Sequence, residues 1–306
     1  MKNVRNALVL ALLFTLARPS IARGPIHVLT SIFPLKEFAA AVVGDRGEVS
    51  LLLPPGAGVH TWQPRPGDLI KLASSDLFIS VGSGLEPWLP DLVKAVPRDH
   101  LRLLEVSGGL PLLRAETEKP ETEEGRHGQS LLDPHIWLDF GLDAQVVDGI
   151  VKAVSGIDRA GAAYFRENGE TLKARLFELD SRFREGLRDC AGRRMVVAGH
   201  AAFGYLAKKY GLVQMSLYGL SPDSQPRPKQ MMSIADFCRR ENIRTVFFET
   251  SVPPDLARTL AAEIKGRILV LYAGHNLTRK QMVKGVGFFD IMEDNLRNLR
   301  EGLGCR

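Results

Sequence analysis

RMVVAGHAAFGYLAKKYGLVQMSLY (194–218) decides the fold. Its first six residues are a short apolar run ending in Gly199, the composition of a strand covered on both faces. Residues near 201–210 carry helical spacing, and VQMSLY (213–218) is a second apolar run. A strand, a helix and another strand in so short a span form a crossover unit, which pairs its strands in parallel. Working outward, TVFFET (245–250) and ILVLY (268–272) continue as strands, with helical patterns near 228–241 and 254–265. The first half repeats the scheme. IHVLTSI (26–32), EVSLLL (48–53), LFISVG (77–82) and LRLLEV (101–106) alternate with helical patterns near 35–43, 66–74 and 88–96. Apolar strands alternating with helices predict an α/β protein.

Between the two runs lies a helical stretch from about Arg159 to Arg188. Leu172, Leu176, Leu179, Phe183 and Leu187 form one apolar stripe on it, and the opposite face is charged. The fold expected is therefore two Rossmann-like lobes with mostly parallel sheets, joined by one long rigid helix. The expected boundaries are 23–158 for the first lobe, 159–189 for the linking helix and 190–306 for the second lobe. A last helical stretch, Arg279 to Leu303, should close the second lobe.

The opening residues carry Lys2 and Arg5, an apolar run from Ala7 to Ala17, and Ser20-Ile21-Ala22. A basic region, a short apolar region and a small-x-small site make residues 1–22 a cleavable secretory signal peptide. The apolar run is too short to span a bilayer comfortably, and no Cys for a lipid anchor lies near the cleavage point. A periplasmic protein is expected. Losing this segment removes Lys2, Arg5 and Arg18, so the formal charge of +5 falls to +2. No basic stripe with interleaved aromatics is present, which argues against nucleic acid as a partner. Cys190, Cys238 and Cys305 allow one disulfide and one thiol in an oxidising compartment. Cys238–Cys305 and Cys190–Cys305 are both open pairings. The polar, acidic segment at 114–130 reads as a mobile loop.

Three histidines sit in settings suited to a metal. His60 lies in PPGAGVHTWQPRPGDL (54–69), His135 in DPHIWLD (133–139) and His200 in the opening stretch. Each follows or adjoins a predicted strand end. Neutral imidazoles converging in a partly buried site suit Zn²⁺ well and Mn²⁺ less well. Asp139 is a candidate acceptor that fixes an imidazole tautomer, or a cap for the helix starting near Leu142. Trp62 and Trp137 each lie two residues from a ligand candidate and either wall the site or pack. His127, in the acidic loop, could hand metal to the site. His27 and His100 read as structural or solvated.

These motifs together resemble the metal-binding solute receptors of zinc/manganese ABC importers, the cluster 9 or A-I family. The likeness runs from VLTSIFPLKEFAAAVVGD (28–45), through the Pro-Gly-x-x-x-His element at 55–60 and the Gly-x-x-x-Glu tail at 82–86, to DNLRNL (294–299). The resemblance implies two lobes joined by one long helix with the metal between them. It places His60 and His135 on the first lobe and His200 on the second. The family usually supplies a carboxylate just past its final strand. Here no Asp or Glu occurs between Glu263 and Asp290, and His275 stands there instead. The fourth position is then His275, water or Glu249. Gln63 replaces a carboxylate common after the first family His and could support the site from behind.

The function implied is that of a periplasmic, monomeric receptor that captures Zn²⁺, with Mn²⁺ as the alternative, and delivers it to an ABC permease. It is not an enzyme on this reading. The competing class is a secreted three-histidine zinc hydrolase, which would need a general base beside a metal-bound water. No His-Glu-x-x-His or Gly-x-Ser-x-Gly run is present, and no Glu adjoins the three histidines in sequence. A metal-binding adhesin is a third class, with no specific feature in its favour.

Overall fold

A computed structural model describes residues 24–97, 100–114, 132–220, 228–250 and 253–306. The signal segment, His127 and nearly all of the acidic loop lie outside these residues. In the first half the order is β1 (Ile26–Thr30), α1 (Phe33–Val43), β2 (Gly47–Leu51), α2 (Pro66–Ala73), β3 (Leu77–Ser80), α3 (Leu89–Lys94) and β4 (Arg102–Glu105). Then come α4 (Phe140–Ile157) and α5 (Ala162–Gly186). The second half holds β5 (Arg194–Ala198), α6 (Gly204–Lys209), β6 (Val213–Ser216), α7 (Pro228–Arg240), β7 (Thr245–Glu249), α8 (Asp255–Glu263), β8 (Arg267–Leu271), α9 (Arg279–Val283) and α10 (Phe288–Leu303).

The strands form two four-stranded sheets, ordered β2-β1-β3-β4 and β6-β5-β7-β8, and every pairing is parallel. The central strands are covered on both faces, which is why they read as continuous apolar runs rather than alternating ones. In each sheet the order reverses between the first two strands, so β1 and β5 sit inside. Loops leaving the carboxyl ends of such strands open onto a crevice, the usual place for a ligand in open α/β sheets.

The stripe read from the sequence is buried on α5, from Leu172 through Phe183. This helix packs on α4, α1 and α10. It starts at Ala162 because Asp158 accepts the Gly161 N–H at 3.1 Å and pairs with Arg46, which ends α4 and turns the chain. The predicted last helix is two helices. Gly285, at φ +67°, supplies a left-handed residue that breaks the pattern between α9 and α10. Nor does α10 serve the second lobe alone. It packs on β7 and β8, while Phe288 meets Phe38 of α1 at 5.0 Å and Phe140 of α4 at 6.5 Å. Burying an aromatic ring of this kind is worth roughly 1.5–3 kcal/mol, so α10 is a substantial tie between the halves.

The disulfide joins Cys190 to Cys305 and leaves Cys238 a buried free thiol. Backbone bonds from Ala191 to Gly304 and from Gly192 to Leu303 run beside it, fastening the chain end to the segment that enters β5. Among the described residues no helix is long and apolar enough to cross a membrane.

Candidate metal centre

The three predicted histidines meet at one point. His60 comes from the loop after β2, where Gly58 O accepts both Thr61 N–H and Trp62 N–H. His135 precedes a single 3-10 turn (Ile136–Leu138) that leads into α4. His200 stands two residues past β5. One nitrogen from each lies within 4.8 Å of the other two. His135 and His200 are 0% exposed, and His60 is half-buried.

The hydrogen bonds behind the rings set their tautomers. Asp133 Oδ1 already accepts the His135 backbone N–H at 2.9 Å, so the His135 Nδ1 that faces it at 2.7 Å carries a proton. His200 Nδ1 faces Glu249 Oε2 at 3.1 Å. With both Nδ1 atoms donating to carboxylates, both Nε2 atoms present lone pairs, and these face each other at 3.1 Å. Two facing lone pairs in a buried place repel one another unless a cation sits between them, and His60 Nε2 adds a buried nitrogen with no hydrogen-bond partner beside them. Nitrogens on a tetrahedral zinc at about 2.05 Å from the metal are about 3.3 Å apart, close to the observed pair.

Burial reinforces this state. It pushes His60 down to about 2, aided by His135, His200 and His275 and offset in part by Glu249. Burial first, then His200 and His275, holds His135 well below its ordinary value. Both rings are therefore neutral and able to ligate. Burial also raises the Asp133 carboxyl to about 7, against the pull of the His135 N–H. A dication in front of the ring would favour its charged form.

His275 lies at the edge of the cluster, past the carboxyl end of β8. Its ring centroid is 6.2 Å from that of His200, and its Nδ1 is buried without a partner. Burial lowers it to about 4, with Glu249 opposing and His200 adding. Glu249 Oε2 faces His200 Nδ1, which sets this carboxylate behind the ring as an acceptor. Asp139 also takes a different role from tautomer control. It caps α4 through the Gly141 and Leu142 N–H groups and pairs with Lys209 of α6. Gln63 is exposed on its loop rather than set behind an imidazole. Both tryptophans are packed, and Trp137 stands against the cluster. Trp137 donates to Ala273 O at 2.6 Å beside His135, and Trp62 stands edge-on to Trp88 at 4.8 Å. His100 bonds Ala73 O, and exposed His27 lies 3.6 Å from Glu48.

Asp133, which the sequence reading did not single out, and Glu249, which it named only as an alternative fourth ligand, are the acceptors that orient the rings. Asp-x-His at 133–135 was a local signal for the first. The place of Glu249 behind His200 became visible only once β7 was set beside β5. Gly199 permits its approach, since a Cβ there would stand 2.3 Å from Glu249 Cβ. Asp133→Asn and Glu249→Gln are each expected to weaken zinc binding by about 10–100-fold, because an amide can turn its NH₂ toward the ring and reverse the tautomer. Isothermal titration of both variants would check this, and wild-type affinity in either would remove that acceptor from the account.

The sequence profile of the family described as zinc-uptake complex component A, periplasmic (ZnuA) matches residues 28–302. The high-affinity zinc uptake system protein ZnuA of Bacillus subtilis (strain 168) is 33% identical over 280 residues, covering 91% of this chain and 88% of that protein. The zinc-binding lipoprotein AdcA of Streptococcus pneumoniae (strain ATCC BAA-255 / R6) is 29% identical over 284 residues, 92% of this chain but only 56% of AdcA. Among solved structures, the Zn(II)-bound ZnuA-like domain of Streptococcus pneumoniae AdcA superposes with a TM-score of 0.76 at 28% identity, covering 92% of this chain and 99% of that one. With two parallel sheets, a buried cluster of imidazoles between them and a profile match across nearly the whole chain, this protein belongs to the ZnuA family of periplasmic zinc-uptake components.

Proposed function

We propose that the chain is the metal receptor of an ABC importer, capturing Zn²⁺ between its lobes in the periplasm and delivering it to the permease as a monomer. The observation that carries this reading is the facing pair of Nε2 lone pairs, His135 and His200, each fixed by a carboxylate behind it. Cargo binding asks only for ligands and a way out. Hydrolysis asks for a base beside a metal-bound water, yet Asp133 and Glu249 are both occupied in orienting imidazoles. Helix α5, packed on α1, α4 and α10, serves as a stiff link that limits the lobes (23–158 and 190–306) to a small relative tilt. Equilibrium dialysis tests the reading directly. One zinc per folded chain at neutral pH is expected, and a stoichiometry near zero would sink it.

His275 completes the site in this reading, giving four imidazoles and no charged ligand in contact with the metal. Such a shell favours zinc over Mn²⁺, which prefers carboxylate oxygens. His275→Ala should weaken zinc binding by about tenfold or more, since water replaces a nitrogen ligand, and His275→Asp should raise Mn²⁺ affinity relative to Zn²⁺. His100→Ala is the control. Equal, wild-type zinc affinity in His275→Ala and His100→Ala would make His275 a bystander.

Acid sensitivity follows from the same geometry. A free imidazole is about nine-tenths protonated at pH 5.5, a tenfold penalty per ligand. His60 and His135 have their folded values pulled below 6.5, so protons displace metal from them only at lower pH. Between pH 7.5 and 5.5 the loss of zinc affinity should fall well short of the roughly thousand-fold that three free imidazoles would give. Competition titrations at the two values measure it. A loss near a thousand-fold would contradict the burial argument.

A further inference from the structure

The segment after β8 crosses to the first lobe and is fastened there. Phe33 N–H donates to His275 O at 2.9 Å, and Trp137 Nε1 donates to Ala273 O at 2.6 Å. Beyond them, Asn276 Nδ2 donates to both Pro54 O, at 2.7 Å, and Ala57 O, at 2.9 Å. Its Oδ1 accepts the Leu277 N–H at 2.8 Å, which fixes the orientation of the amide. Gly56 N–H donates to Leu277 O at 2.9 Å. Three of these bonds therefore land on residues 54–57, the stretch of loop that leads into His60, and two of the three come from one side chain.

His60 is the least buried of the three converging imidazoles. The loop that carries it thus closes the site where the site lies nearest solvent, and Asn276 holds that loop to the opposite lobe. Opening there separates His60 from His135 and His200 without disturbing either sheet. We infer that Asn276 is a positioning residue that sets the rate of metal exchange by pinning the His60 loop across the cleft. It does not touch the metal but acts through His60, and the inference rests on the zinc-receptor reading above. The hold consists of a few hydrogen bonds at a half-exposed place, the kind of contact that opens locally well before a core does.

The test is the zinc dissociation rate, measured by mixing zinc-loaded protein with excess chelator in a stopped-flow instrument. Asn276→Ala should release zinc on the order of 10–100-fold faster than wild type, the equivalent of two lost hydrogen bonds. Association should also quicken, so the dissociation constant moves less than the off-rate does. A merely structural contact would lower the melting temperature and leave both rates alone. An Asn276→Ala off-rate within twofold of wild type, in protein that binds one zinc, overturns the inference by itself. Wild-type protein that binds no zinc overturns the receptor reading and this inference with it. If Asn276→Ala does not fold, amide exchange in zinc-loaded wild type decides. The Gly56 N–H should open at least as fast as zinc leaves, and slower opening shows that metal escapes without unpinning the loop.

Discussion

Alanine at His135 removes most of the zinc affinity, with the dissociation constant rising by about 10²–10³-fold. A structural zinc site is worth about 10–16 kcal/mol over its ligands, so one imidazole of three or four carries about 3–4 kcal/mol. His135 is set deep in the site. It is fully buried, it faces His200 at 3.1 Å, and its removal leaves Asp133 without the ring it orients. At fixed zinc concentration the metal-induced stabilisation falls by the same energy, roughly 10 °C of melting temperature for a chain of this size. Thermal melts with and without zinc would show the shift collapse in His135→Ala and persist in His100→Ala. A full zinc-induced shift in His135→Ala would remove this residue from the site.

Loss of the Cys190–Cys305 bond is the largest expected effect on the empty protein. The bond closes a loop whose ends are 115 residues apart in sequence, and loops of that length give about 4–5 kcal/mol in the chain-entropy account. The paired Cys190→Ser/Cys305→Ser variant should therefore melt roughly 10 °C lower. The disulfide fastens the end of α10 to the segment that enters β5, whereas His200 follows the other end of that strand, so zinc stoichiometry at 25 °C should stay at one. Calorimetry of wild type and variant settles it, and a midpoint change under about 2 °C would show that the neighbouring backbone bonds suffice.

The alternation of apolar runs and helical patterns was enough to place the eight strands of the described residues, most plainly β1, β3, β5 and β7, which are covered on both faces and have little polar face to confuse the pattern. His60, His135 and His200 were legible because Gly, Pro and Asp neighbours mark strand ends. What supports them was not. Asp133 and Asp139 flank the same histidine, and spacing cannot say which carboxylate the ring nitrogen faces. The 3-10 turn at Ile136–Leu138 turns Asp139 toward α4 and Lys209 and leaves Asp133 on the ring. Glu249 is 49 residues from His200 and reaches it only through the adjacency of β5 and β7. The disulfide was equally hidden, since either pairing closes a loop the chain can afford and only the docking of α10 brings Cys305 to Cys190. The break at Gly285 was a single residue inside an otherwise helical pattern.

The converging imidazoles are drawn from residue 60, residue 135 and residue 200, with residue 275 beside them, and no two belong to the same local unit. Metal therefore cannot template this fold as it does a short finger whose ligands are a few residues apart. Both parallel sheets, built from contacts distant in sequence and slow to form, must be in place before the site exists. Zinc then acts on the finished molecule alone. It slows unfolding and leaves the folding rate unchanged, so the empty chain has to fold on its own strength, as a carrier that must exist both laden and unladen requires.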